Sequence, residues 1–284
     1  MRLFDVIDKL KEIVFSMKFF KSKLLHLCLT GLTALPTISC IKAADDSLLN
    51  YSRSAELLYE DAMDDFDDRD CIAAEPKFQS VRKQYPYSRY AVDSELRIAD
   101  CQFVMENHAE AAVSYEQFVS LHPTHEQADY AAFRRGECFV KLIPKDVFIL
   151  PPAHERDQAA TRDARNTLAQ FLKRYPNSPW CEKAAILLQQ VVDALVRHEI
   201  YVANFYLSRD DRLAAAVRLE KVREHFGESA MVPNAMFLQA MTYLKLDRKA
   251  DAERVLKEII SYYPEHYQRK RAEDYLSALG KKGG

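Results

Sequence analysis

The stretch Tyr115-Glu116-Gln117-Phe118-Val119-Ser120-Leu121-His122-Pro123 decides the reading of this chain, because variants of it recur. The pattern is Ala, a large apolar residue four on, another three later, then Pro after five more. Ala111, Tyr115, Phe118 and Pro123 fit it, and so do Ala74, Phe78, Val81 and Pro86. So do Ala164, Leu168, Phe171 and Pro176, and Ala252, Leu256, Ile259 and Pro264. A fifth copy, Ala215, Leu219, Val222 and Gly227, has Gly at the stop. Steps of four and three put the apolar residues on one helical face. The Ala admits a neighbouring backbone, and Pro or Gly ends the helix. An aromatic or His precedes each stop: Tyr85, His122, Tyr175, Phe226 and Tyr263.

Successive stops lie 37, 53, 51 and 37 residues apart. Self-similarity at such a period signals a solenoid, and Ala-x3-apolar before Pro is the second helix of a tetratricopeptide unit. Small residues for the crossing of first and second helices stand 13 after a stop, at Ala99, Gly136 and Ala240. The expected fold is all-α, a right-handed superhelical solenoid of about five tetratricopeptide-like helix pairs. Between residues 41 and 279 the only glycines are Gly136 and Gly227. That leaves no Gly-rich phosphate loop and suits helices.

The two long spacings have different causes. Leu142 to Glu155 carries Pro144, Pro151 and Pro152, which forbid a regular helix, and its Val147-Phe148-Ile149-Leu150 must pack under the loop or meet a partner. Ser178 to Leu207 has no Pro or Gly inside and reads as one first helix about four turns longer than its counterparts. Its far end, Arg197 to Tyr206, then needs a cover of its own.

Residues 1–40 read as an export signal, with Met17 as the expected true start. Lys18, Lys21 and Lys23 precede a short apolar run, Leu24 to Leu35, too short to span a bilayer. Pro36-Thr37-Ile38-Ser39-Cys40 follows in the manner of a lipoprotein box, with Thr37 where Leu is usual, so Cys40 is the expected lipidation site. Residues 41–49 read as a tether. Repeats 1–3 then span 50–175 with a Pro-rich insert at 142–156, and repeats 4–5 with a capping helix span 176–279.

The formal net charge is −2, and removing residues 1–41 leaves −5. That argues against nucleic acid, which asks for a basic stripe. Glu60, Asp61, Asp64, Asp65, Asp67, Asp68 and Asp70 crowd the end of the first helix without calcium-loop spacing, and read as a solvated end. Cys71, Cys101, Cys138 and Cys181 lie in the folded part. A Cys71–Cys101 bridge is open to them, against four buried thiols. No pair has metal-ligand spacing. His122-Pro123-Thr124-His125 sits at a repeat boundary, where Thr124 is the expected helix cap and His122 the stop residue. No nucleophile, carboxylate pair or zinc motif is defensible, so neither enzyme nor cofactor is expected.

Several stretches are similar to the BamD (ComL) family of outer-membrane β-barrel assembly lipoproteins. Leu121 to His125 with Asp129-Tyr130-Ala131 and Gly136 resembles the opening of that family's third repeat. Arg174 to Ser178 with Trp180 resembles that of its fourth. Arg197-His198-Glu199, Val202-Ala203, Phe205-Tyr206, Arg209 and Ala214 to Glu220 follow in family order. The resemblance covers about residues 45–265. It implies a lipid-anchored scaffold on the periplasmic face of the outer membrane, which helps to fold and insert barrel proteins. It implies that the N-terminal repeats receive unfolded outer-membrane proteins, with Tyr59, Tyr90 and Phe103 as candidate groove residues. It implies a BamA-like barrel partner and other assembly lipoproteins, with Arg218, Glu220 and Arg209 as candidate contact residues. The alternative is a periplasmic repeat protein that coordinates or activates cell-wall enzymes.

Overall fold

Five residues, four of them in one backbone conformation, mark the ends of five helices in the computed structural model, which describes residues 39–282. Tyr85, His122, Tyr175 and Tyr263 have φ near −126° and ψ of 54–59°. Each is a C-cap whose N–H donates to the carbonyl four residues back. The following Pro excludes the helical region for the residue before it. Phe226 precedes Gly227 instead, and its ψ falls to 32°. The proline is thus legible in the angle of its neighbour.

The helices are α1 (Ser39–Asp67), α2 (Cys71–Gln84), α3 (Arg89–Val104), α4 (His108–Leu121), α5 (Ala128–Leu142), α6 (Ala159–Arg174), α7 (Cys181–Ser208), α8 (Arg212–His225), α9 (Val232–Lys245), α10 (Lys249–Tyr262) and α11 (Gln268–Lys282). A 3₁₀ turn, Ala153–Glu155, lies between α5 and α6. Sequence neighbours pack as pairs, so the described chain is an all-α, tetratricopeptide-like solenoid. All fifteen Ala and apolar residues of the repeat pattern are at most 2% exposed.

The chain falls into two units, one ending at Arg53 and one beginning at Ser54. Of the signal read at 1–40, residues 1–38 lie outside the described residues. The described part of the first unit is helical, with Leu48 and Leu49 exposed. The stretch 41–49, read as a tether, has neither Gly nor Pro and is helical, since α1 runs back through it to Ser39.

A second periodic device follows each stop. Ser88, His125, Ser178, Ser229 and His266 each stand three residues after the C-cap aromatic or His and donate N–H to its carbonyl. Their side chains then accept from the N–H two residues on: Ser88 Oγ from Tyr90 at 3.1 Å, His125 Nδ1 from Gln127 at 3.1 Å, and Ser229 Oγ from Met231 at 3.1 Å. Ser178 and His266 do the same at 3.3 and 3.2 Å. Thr124 is not the cap expected from sequence. Gln127 is the N-cap of α5, and His125 closes the turn before it, because an imidazole nitrogen reaches the same N–H that a serine hydroxyl satisfies.

Within four repeats the first helix hands over to the second through three residues whose middle member has φ near +60°: Arg69, Glu106, Asp210 and Asp247. In each, the next N–H bonds back five residues, as in Asp211 N–H to Tyr206 O at 3.0 Å. This is a Schellman end built without glycine. Gly136 serves packing instead: a Cβ there would stand 2.7 Å from Leu168 Cδ2.

α7 has 28 residues against 14 in α9, as its sequence predicts. Its first half packs with α5 and α6 through Ala184 and Val191. Its second half packs with α8 to α10 through Val196 and Ala203. The insert supplies part of the cover for the far end: His198 Nδ1 lies 2.7 Å from His154 O, and the His154 and Tyr201 rings meet edge-on at 5.3 Å.

Candidate functional site

The first helices of the N-terminal repeats carry a ladder of cations on rings. Arg97 of α3 lies over Phe66 of α1 at 5.9 Å. Arg134 of α5 lies over Phe103 of α3 at 3.6 Å. Lys183 of α7 lies over Phe133 of α5 at 5.1 Å, with Trp180 stacked on the same ring. Arg271 of α11 repeats the contact on Phe237 of α9 at 4.2 Å. Each rung joins one first helix to the next, and a cation over a ring face is attracted by the ring quadrupole.

Hydrogen bonds fix the two N-terminal rungs. Asp100, 2% exposed, accepts from Arg97 Nη1 at 2.5 Å, the Tyr115 hydroxyl at 2.6 Å and the Tyr130 hydroxyl at 2.9 Å. Burial first, and then Asp100, push the Tyr115 and Tyr130 hydroxyls well above the ordinary tyrosine range, so both remain donors. Burial opposes the charge of Arg134, yet Tyr115, Tyr130 and Glu137 outweigh it, and its pKa rises. Arg134 Nη1 meets Glu137 at 2.7 Å, which Lys183 reaches at 3.1 Å. With three donors on its two oxygens, Asp100 is a support rather than a base. The arrangement offers rings and cations held in place by carboxylates.

The candidate groove residues divide between core and surface. Tyr90 is buried, its hydroxyl donating to Glu56 at 2.5 Å. Tyr59 is half-buried between Phe78 and Tyr90, at ring separations of 5.6 and 5.4 Å. Phe103 is half-buried and belongs to the ladder. The other rungs were not singled out by sequence, although a signal was there: Phe66 and Phe103, and Arg97 and Arg134, each recur at the 37-residue period.

The candidate partner residues lie on α8 and at the end of α7. Arg218 is partly exposed and pairs with Glu199 of α7 at 3.3 Å. Arg209 covers the ring of Phe205 at 4.5 Å. Glu220 stands 3.8 Å from Arg223, which also holds Glu258 at 2.5 Å. The structure therefore brings Arg218 a carboxylate from its own chain. The acidic end of α1 is likewise partly answered, since Lys77 reaches Asp61 at 2.9 Å and Asp65 at 2.8 Å.

A cleft of about 350 Å³ opens between α4, α5 and α6, walled by Val119, Phe171 and Tyr175. Arg135 pairs there with Glu116 at 2.9 Å. Cys71, Cys101 and Cys138 are buried free thiols and Cys181 is a half-buried one. Burial pushes the Cys138 thiol up to about 12. Among the described residues no cluster of His, Cys, Asp and Glu could hold a metal, and no helix is long and apolar enough to cross a membrane.

The fold defines a class, an all-α tetratricopeptide-like repeat protein. The family model described as YfiO, Outer membrane lipoprotein, matches residues 52–259, and the chain belongs to that family. Its relatives include proteins named outer membrane protein assembly factor BamD. The one from Neisseria gonorrhoeae is 30% identical over 223 residues, 76% of this chain and 82% of the relative. That of Caulobacter vibrioides is 30% identical over 213 residues, 75% of this chain and 67% of the relative. That of Vibrio cholerae is 24% identical over 239 residues, covering 83% and 98%.

Proposed function

We propose that this chain is a non-enzymatic scaffold of the machinery that folds and inserts outer-membrane β-barrel proteins. The observation that carries this reading is the extent of the family match, which runs from the first helix pair to the fifth. The relatives bearing the assembly-factor name align along most of their own length. In this reading the cation and ring ladder of α1 to α7 receives extended segments of unfolded barrel proteins. Rings on such segments find the half-buried Phe103, and their carbonyls find Arg134 and Lys183. The α7–α8 face, with Arg209, Arg218 and Glu220, meets a BamA-like barrel partner alongside other assembly lipoproteins. Cys40 carries the lipid that keeps the chain at the periplasmic face of the outer membrane.

The test is extraction of native membranes in mild detergent with a tag on the C-terminus. The expected result is co-purification of a large outer-membrane barrel protein together with acylated Cys40. Recovery of cell-wall enzymes without a barrel protein would overturn the reading.

A further inference from the structure

The insert between α5 and α6 presents four consecutive apolar residues to solvent: Val147, Phe148, Ile149 and Leu150. Phe148 is fully exposed, and Ile149 is 83% exposed. The turn is closed by Leu150 N–H donating to Val147 O at 2.9 Å. Its two ends are pinned. Ala153 N–H donates to Asp146 Oδ1 at 2.6 Å, and the Arg156 guanidinium donates to Lys145 O. Gln158 Nε2 holds Ala153 O at 2.9 Å and Arg156 O at 2.8 Å. Pro144, Pro151 and Pro152 restrict the backbone further. The tip is held outward and cannot easily fold back to hide its side chains.

A second feature adjoins it. A cavity of about 430 Å³ is lined by Lys141, Lys145, Arg134 and His108 over Phe103 and Val104, with Glu106 as its one carboxylate. Arg134 is engaged with Glu137, whereas Lys141 and Lys145 make no ion pair among the described residues. His108 Nδ1 is buried there without a partner. Burial lowers the pKa of His108; Glu106 opposes the shift, and Lys141, Arg134 and Lys145 add to it. The lining sets Lys141, Lys145 and Arg134 against Glu106, in a chain that is net negative. Lys145 belongs to both features, lining the cavity three residues before the tip.

We propose that this end of repeat 3 docks on an anionic lipid surface, with Val147–Leu150 entering among the acyl chains and Lys141 and Lys145 meeting headgroup phosphates. The chemistry fits a bilayer better than a protein partner. Four side chains offer on the order of a few hundred Å², well short of the roughly 1,200 Å² of a stable protein interface. A short apolar wedge flanked by lysines is instead the arrangement that binds interfaces, where apolar burial and attraction to anionic lipid act together. This contact is separate from any acyl chain on Cys40 and does not depend on the assembly reading.

The test uses the full chain reconstituted into vesicles, with Phe148→Trp as a reporter. Trp180, the only native tryptophan, is stacked on Phe133 and gives a constant background. The expected result is a blue shift of the added emission in vesicles containing phosphatidylglycerol, with quenching by brominated acyl chains. Lys141→Gln and Lys145→Gln should each weaken binding to anionic vesicles about fivefold. A reporter that keeps its water-exposed emission in vesicles overturns the proposal. A shift seen only after a purified barrel protein is added also overturns it and assigns the tip to a protein. A shift indifferent to anionic lipid overturns the role given to the two lysines.

Discussion

Arg134 holds its guanidinium carbon 3.6 Å from the centre of the Phe103 ring, and that contact joins the first helices of repeats 2 and 3. The same arginine reaches Glu137 at 2.7 Å, and its Nε lies 3.4 Å from the Tyr115 hydroxyl. It therefore links a ring, a carboxylate and the Asp100 hub. Arg134→Gln should destabilise the fold by about 2 kcal/mol, the scale of a desolvated cation–ring contact. Lys183→Gln, at a half-exposed rung, should cost well under 1 kcal/mol. Thermal melts of the two variants check the contrast. If the ladder receives substrate, both should also lower affinity for a peptide rich in aromatic residues.

Asp247 sits at φ of 58°, is exposed, and precedes Arg248, whose N–H bonds to Tyr243 O at 2.9 Å. A side chain in this region carries a penalty of about 1–2 kcal/mol that glycine escapes. Glycine also gives the unfolded chain more freedom, which takes back part of the gain. Asp247→Gly should therefore raise stability by about 1 kcal/mol, seen as a higher denaturant midpoint with an unchanged slope.

Gly136 faces Leu168 across the α5–α6 crossing, and Leu168 is fully buried with nowhere to move. Gly136→Val would press two methyl groups into that contact. Overpacking of this kind costs about 3 kcal/mol. Gly136→Val together with Leu168→Ala should recover part of the loss, and chemical denaturation of both variants measures it.

The parts of the fold legible in sequence are those where packing repeats at fixed helical spacing. Ala252, Leu256 and Ile259 had to recur because every second helix buries the same face. The length of α7 was legible because nothing between Ser178 and Leu207 could end a helix. The glycine count gave no view of the turns, since Arg69, Glu106, Asp210 and Asp247 adopt a conformation usually left to glycine. The first helix read from Ser178 begins three residues later, at Cys181. The serine turn occupies the missing residues. The ladder was hardest to see, because a ring on one helix and a cation on the next are linked only once the helices are side by side.

His108 and His266 both have pKa values lowered from the ordinary 6.5, by burial in each case; at His108 Glu106 opposes the shift, and Lys141, Arg134 and Lys145 add to it. In the unfolded chain they take up protons at higher pH than in the fold. Their contribution is therefore fully present above pH 6.5 and is lost as pH falls through the lower folded values. Protonation of His266 Nδ1 also removes the acceptor of the Gln268 N–H. Melting temperature should drop between about pH 7.5 and pH 5.5. His266→Ser, which copies Ser88, Ser178 and Ser229, should keep the cap and flatten part of that dependence.

Arg218 and Glu199 stand 3.3 Å apart across the α7–α8 pair, with Arg218 38% exposed and Glu199 18%. A pair this open to water contributes at most about 1 kcal/mol, so neither Arg218→Ala nor Glu199→Gln should change the melting temperature much. The two variants differ in what they leave behind. Arg218→Ala removes a donor that can serve a carboxylate of Glu199 and one of a partner at once. Glu199→Gln frees the same arginine to turn wholly outward. If Arg218 meets the barrel partner directly, its loss should reduce recovery of that partner in a pull-down, whereas Glu199→Gln should preserve or raise it. Equal losses in both variants would instead mean that the intact pair is what the partner recognises, with Glu199 orienting the arginine.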